Sequence, residues 1–239
     1  MIPFSDLARA AFCPRQCYYA RRDGERSIPP EARTRIDLAF RYPELVDAPD
    51  ATLRRLPIRR SPAAYRQLLD QLRERPVYDR LVDPVRERAY VSGRDCHGLI
   101  QKVIEPPTAP VPEGDTAPDG SEGESTGGES PRAPVIVSPG EPPEEGVWEP
   151  QSVRAVAAAK ALAWELQRPV RRAYLEYPTV GVVRELTMTT RRKAAYRRAL
   201  RAVRSIDGPP ARVDDNRCTG CAYRERCGSK RRSLRSLLT

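Results

Sequence analysis

Histidine is nearly absent: the 239-residue chain holds one, His97. Chemistry that needs paired imidazoles is therefore excluded. A lone His97 reads first as a hydrogen-bonded structural residue, with a general base or metal ligand as the alternative. Lysine is scarce as well, supplying four of the 42 basic residues. No stretch of about 18 consecutive apolar residues occurs, which removes a membrane-spanning helix of the usual kind. The opening MIPFSDLARA lacks the basic segment and unbroken apolar run of an export signal. These absences lead to the expectation of a soluble, cytoplasmic chain with no membrane partner, and no internal repeat is visible.

What is present is arginine. Lys+Arg 42 against Asp+Glu 32 leaves a formal charge of +10, which favours a polyanionic partner. The guanidinium fork suits bidentate phosphate contacts, although a coding bias toward arginine gives the same excess without functional meaning. Acid is concentrated in one place. Residues 105–134, EPPTAPVPEGDTAPDGSEGESTGGESPRAP, are rich in Pro, Gly and Ser and have almost nothing apolar to bury. They predict a disordered insertion over 106–133 in what otherwise reads as one domain over 1–239. The rest of the chain is correspondingly more basic. The insertion is either a solvated loop extension or a nucleic-acid mimic for the chain's own basic groove.

Hydrophobic periodicity gives a helix over 5–22 that turns at Pro14. A second helix opens at Ser61-Pro62, with Ala64, Tyr65, Leu68, Leu69 and Leu72 on one face. A strand pair over 88–104 turns at Gly93 or Gly98. After the insertion come a short strand over 135–137, an alanine-rich helix over 151–167, strands over 170–177 and 181–188, and a basic helix over 190–205. That order is the pattern of an α/β fold, a mixed sheet flanked by helices. The last helix places Arg191, Arg192, Lys193, Arg197, Arg198, Arg201 and Arg204 around an apolar stripe. Its cationic side is either a solvated face or a phosphate-contacting one.

Cysteine supplies the sharpest motif. Within a C-terminal segment over 213–230, CTGCAYRERC sets Cys218 and Cys221 two residues apart, with Cys227 five further on. A two-residue spacer lets both thiolates face one centre, and soft sulfur ligands suit iron or zinc. A fourth ligand is available from Cys13 or Cys17 in FCPRQCYY, which predicts a clamp between the two ends of the chain. The uneven spacing favours an iron–sulfur cluster. Zinc sites more often pair two C-x-x-C units, and buried or disulfide-linked thiols without metal are the third reading. Cys96 has no cysteine neighbour and reads as a small buried hydrophobe.

FSDLARAAFCPRQCYYARR, VSGRDCHGLIQKVIE, EPQSVRAVAAAKALAWEL and CTGCAYRERC, in that order, resemble the CRISPR-associated RecB-like exonucleases that carry a four-cysteine iron–sulfur cluster. The resemblance implies a RecB-like, PD-(D/E)XK restriction-endonuclease-type core. It also implies a cluster, 4Fe-4S in type, on Cys13, Cys218, Cys221 and Cys227, with Cys17 as a possible substitute. The resemblance further implies DNA as a partner, along with CRISPR adaptation proteins or nucleases.

The catalytic positions depart from that family. An Asp following a Gly and a Glu-x-Lys on the next strand hold the divalent cation there. Here Gln101, Ile136 and Ser138 stand in those places, while Gln151 matches a family glutamine. Neutral side chains do not hold Mg²⁺ or Mn²⁺ or offset the charge of an attacked phosphate. The expectation is a DNA-binding scaffold or regulator without catalysis. One alternative is an active exonuclease in which Asp95, Glu105 or Glu141 takes over in another strand register. The other is a metal-clamped protein-interaction module with no affinity for nucleic acid.

Overall fold

A computed structural model describes residues 1–24, 27–107, 130–213 and 216–228. The first helical stretch is split in two. α1 is Phe4–Phe12 and α2 is Pro14–Asp23, with Cys13 extended between them at φ −161° and ψ 115°. Pro14 causes the break: it disfavours helical backbone at the residue before it, while its own fixed φ suits the first position of α2.

Residues 30–82 carry helices that periodicity did not reveal: α3 (Pro30–Asp37), α4 (Tyr42–Val46) and α5 (Asp50–Leu53) precede α6 (Pro62–Arg73) and α7 (Tyr78–Val82). Only α6 has a complete sequence signature. The Ser61 hydroxyl caps it by accepting from Ala64 N at 3.3 Å, and Tyr65, Leu69 and Leu72 bury one face. The others are one or two turns long and owe their place to Leu38, Tyr42, Leu45, Leu53 and Leu81, all buried together.

The sheet contains β1 (Ile2–Pro3), β2 (Arg86–Ser92), β3 (Cys96–Ile104), β4 (Ala133–Val137), β5 (Arg172–Tyr177) and β6 (Val182–Thr187). Its order is β1-β3-β4-β5-β6, with β2 also paired to β3. β2–β3, β3–β4 and β5–β6 run antiparallel, and β1–β3 and β4–β5 parallel, so the sheet is mixed as expected. β2 occupies one edge of β3 from His97 to Val103. The other edge is shared, with β1 at residues 96–97 and β4 at residues 102–104. Among the described residues no strand covers that edge at residues 98–101. Ala133 already pairs with Ile104, so the insertion starts its return one residue earlier than the composition suggested. Residues 108–129, most of the acidic insertion, lie outside the described residues.

Helices cover both faces. α1, α8 (Glu149–Leu166) and α9 (Thr190–Arg204) bury one face around Phe4, Leu7, Val153, Leu162 and Leu200. The short helices of 30–82 bury the other. α8 lies close to the sheet because its inner side is mostly alanine. No described helix is long and apolar enough to cross a membrane.

Candidate functional site

Cys13, Cys218, Cys221 and Cys227, from opposite ends of the chain, line one small pocket with Arg15, Gln16 and Tyr19. Each is half-buried. Cys13 reaches the pocket because the break before Pro14 exposes it between two helices. Cys218 ends a 3-10 turn, Asn216–Cys218, Cys227 ends the short α10, Arg224–Cys227, and Cys221 lies in the link between them.

Side chains other than cysteine tie these segments together. Arg15 donates to the Pro210 carbonyl at 2.6 Å, and Arg217 donates to the Phe12 carbonyl at 2.7 Å. Tyr19 stacks on Tyr223 with centroids 5.7 Å apart. Arg226 lies 4.9 Å above the Tyr19 ring and pairs with Asp23 at 2.5 Å, which holds the Asp23 carboxyl below its ordinary range. Burial lowers the Arg15 guanidinium, but Tyr19 and Cys227 outweigh it and leave a net rise. Gln16 Nε2 donates toward Cys221 Sγ at 3.9 Å. Four sulfur donors lining one pocket are a set that iron or zinc takes. As the thiols stand, no group of three or more His, Cys, Asp or Glu side chains among the described residues is gathered closely enough to hold a single metal ion.

Cys17, the possible substitute ligand, does not line this pocket. It is fully buried in the α1–α8–α9 core and its thiol donates to the Asp6 carbonyl at 3.4 Å. Helical geometry accounts for the difference: four residues past Cys13, position 17 lies inside α2 on the side that packs onto α1. Cys96 is buried too, accepting from the Tyr196 hydroxyl at 3.5 Å, and burial pushes its thiol pKa up.

The nuclease-like positions form a closed, neutral network. Gln101 lies at the uncovered stretch of β3, where Ile100 and Val103 both enter the same core, so the side-chain alternation slips by one. Opposite it, Arg88 has a positive φ of 47°. The register between β2 and β3 is the same on either side of this pair, and the Gln101 amide oxygen takes the place of a ladder acceptor for Val137 N at 3.1 Å. Ile136 is buried in the core beneath α8. The Ser138 hydroxyl accepts from Gln151 Nε2 at 2.8 Å and from Gly140 N at 3.4 Å. The Gln151 amide oxygen accepts from the Tyr177 hydroxyl at 2.5 Å. Gln101 is 2% exposed and Ser138 7%, so neither faces bulk water.

On the opposite face of β3, Lys102 is fully buried. Its ammonium donates to the carbonyls of Ala39 at 2.6 Å and Leu81 at 2.7 Å and pairs with Glu176 at 3.2 Å. Burial raises the Glu176 carboxyl, and Lys102 opposes that rise. Lys102 follows Gln101 in β3 and Glu176 precedes Tyr177 in β5, on the opposite face of the sheet. They tie α7 and the turn at 38–40 to β3 and β5.

Asp95, Glu105 and Glu141, the acids expected to take over in another strand register, do not converge among the described residues. Asp95 pairs with Arg204 at 2.6 Å, Glu105 with Arg132 at 2.5 Å, and Glu141 with Arg59 at 3.1 Å and Arg60 at 3.0 Å. Those arginines hold the Glu141 carboxyl below its ordinary value. His97 Nδ1 is hydrogen-bonded to the Tyr90 hydroxyl.

α9 is amphipathic as the sequence indicated. The Thr189 hydroxyl caps it, and Tyr196, Ala199, Leu200 and Val203 are buried. Arg191, Lys193, Arg197 and Arg201 are exposed and make no ion pair among the described residues. Arg198 pairs with Glu149 at 3.2 Å, and Arg192 donates to the Thr187 carbonyl at 2.9 Å, so these two are partly committed to the fold. Reading α9 alone missed Lys160, Trp164, Arg168 and Arg171, which share a groove with Lys193. The i, i+4 spacing of Lys160 and Trp164 was the available signal. No family model matches the chain, and no curated protein matches its sequence.

Proposed function

We propose that this chain is a DNA-binding iron–sulfur protein of the RecB-like kind that does not cut DNA and serves as a cytoplasmic scaffold or regulator beside nucleases or CRISPR adaptation proteins. The observation that carries the reading is the shared pocket of Cys13, Cys218, Cys221 and Cys227, assembled from residues more than two hundred positions apart. A single zinc ion draws four sulfurs to about 2.3 Å from one point. Iron–sulfur clusters take cysteines at uneven spacing, as Cys13, Cys218, Cys221 and Cys227 are spaced here.

Loss of catalysis follows from Gln101, Ile136 and Ser138. Two of them spend their polar atoms on Val137 and Gln151, and the third is apolar and buried. No carboxylate there neutralises a hard cation. DNA binding is supported by the four unpaired cations of α9.

The test is a salt titration of binding to labelled single-stranded and duplex oligonucleotides, together with incubation in Mn²⁺ or Mg²⁺. Binding that weakens log-linearly with salt, with no shortening of the DNA, is the expected result. Absent binding at low salt overturns it in favour of a protein-interaction module. Shortening that is lost in Asp95→Ala or Glu105→Ala overturns it in favour of an exonuclease.

A further inference from the structure

α8 runs between two different places. Its N-terminal end carries Gln151 and the neutral network. Its C-terminal half forms one wall of an open groove of about 710 Å³, bounded by the start of β5, the end of β6 and the start of α9. Sites for small ligands typically span about 300–1,000 Å³. The lining of this groove is chemically one-sided: Lys160, Arg168, Arg171 and Lys193 contribute four cations, and no carboxylate among the described residues lines it. Glu165, the acid nearest in sequence, pairs with Arg86 of β2 at 2.5 Å. Lys160, Arg171 and Lys193 are exposed and make no ion pair among the described residues.

Trp164 lies in the same wall, 51% exposed. An indole left half in water has given up hydrophobic stabilisation unless something covers it. Lys160 and Trp164 sit four residues apart on α8, one turn from each other on one face. A flat aromatic surface flanked by cations is what single-stranded nucleic acid recognises, the cations taking phosphates and the ring stacking a base. A polyanion without bases gains nothing from Trp164, and an apolar peptide gains nothing from four cations.

We infer that this groove is a binding site for single-stranded nucleic acid, with Trp164 as the base-stacking platform and Lys160, Arg171 and Lys193 as phosphate contacts. This rests on the DNA-binding reading above and adds a location at the far end of α8 from the nuclease-like positions, leaving the bound strand away from Gln101 and Ser138.

The experiment uses the full chain with Trp148→Phe, so that Trp164 is the sole indole, titrated with a short oligothymidylate and, separately, with polyglutamate. Saturable quenching of Trp164 by the oligonucleotide and none by polyglutamate is expected. Read instead by the anisotropy of an end-labelled oligothymidylate, Trp164→Ala should lower affinity roughly fivefold to hundredfold, the worth of one stacked base. Trp164→Phe should recover most of the loss, which a purely electrostatic site does not do. If the wild type binds DNA but Trp164→Ala binds equally well, the groove assignment is wrong while the DNA-binding reading stands. If the wild type binds no DNA, that reading itself fails. Equal quenching by polyglutamate assigns the groove to an acidic peptide and overturns the inference.

Discussion

Gln151 joins Ser138 to Tyr177, its amide nitrogen donating to the Ser138 hydroxyl at 2.8 Å and its amide oxygen accepting from the Tyr177 hydroxyl. Three neutral side chains thus satisfy one another. This arrangement contributes to stability and leaves nothing free for a cation.

Removing a member should therefore cost stability and leave DNA binding unchanged. Ser138→Ala strands the Gln151 amide and Gly140 N. Gln101→Ala strands Val137 N between strands. Each unsatisfied buried group costs about 1–3 kcal/mol, readable as a lower urea midpoint at unchanged slope. A change in oligonucleotide affinity without a change in midpoint would give these residues a binding role instead.

The Lys102–Glu176 pair makes a second prediction. Breaking a buried pair leaves a charge uncompensated and typically costs about 3–5 kcal/mol, whereas replacing both partners with apolar residues is often close to neutral. Lys102→Met alone should destabilise strongly, and Lys102→Met with Glu176→Leu should recover much of the loss. Two apolar replacements do leave the Ala39 and Leu81 carbonyls without their donor, so recovery should fall short of complete. Denaturation midpoints of the two single variants and the double variant measure this coupling.

The acidic segment makes a third. Residues 108–129 hold six carboxylates and no basic residue. Arg168 at the groove rim donates to the carbonyl of Ser130, the residue that follows this stretch, at 3.0 Å. Ile104 and Ala133 pair across β3 and β4, which lets a short hairpin replace the deleted stretch. Deleting 108–129 should raise DNA affinity severalfold at low salt, and the gain should fade as screening shortens the reach of charge to about 8 Å near physiological ionic strength. An unchanged affinity at low salt would show that the segment does not compete.

Exposed α9 cations make a fourth. In a single-stranded complex, each phosphate that a cation neutralises adds about 0.7 to the slope of log affinity against log salt. Arg191→Gln, Arg197→Gln and Arg201→Gln together should flatten that slope by about 2 if all three touch phosphate. Arg198→Gln should change it least, because Glu149 already holds that guanidinium.

Much of this structure was legible in the sequence where the pattern was local. Ser61 before an apolar stripe gave α6, Pro14 gave the break between α1 and α2, and the runs at 88–104, 135–137, 170–177 and 181–188 gave every strand but β1. The short helices of 30–82 escaped because each is too brief for periodicity to show; Tyr42 and Leu38 are fixed by packing on the sheet. Lys102 escaped for a related reason: nothing local links it to Glu176, and the pairing of β3 with β4 and of β4 with β5 brings them together. Spacing found the cysteine trio. It left Cys13 and Cys17 equivalent as the fourth member, and the helix break at Pro14 distinguishes them. The groove draws on four segments, so only Lys160 and Trp164 had a signal to offer.

The most direct test of the account is anaerobic purification followed by iron, zinc and acid-labile sulfide analysis and an absorbance spectrum near 400 nm, with Cys221→Ala and Cys17→Ala beside the wild type. The account predicts iron and sulfide in about equal amounts, near four of each per chain for a 4Fe-4S cluster, lost in Cys221→Ala and kept in Cys17→Ala. Stoichiometric zinc, no metal at all, or loss of iron in Cys17→Ala with retention in Cys221→Ala would contradict it.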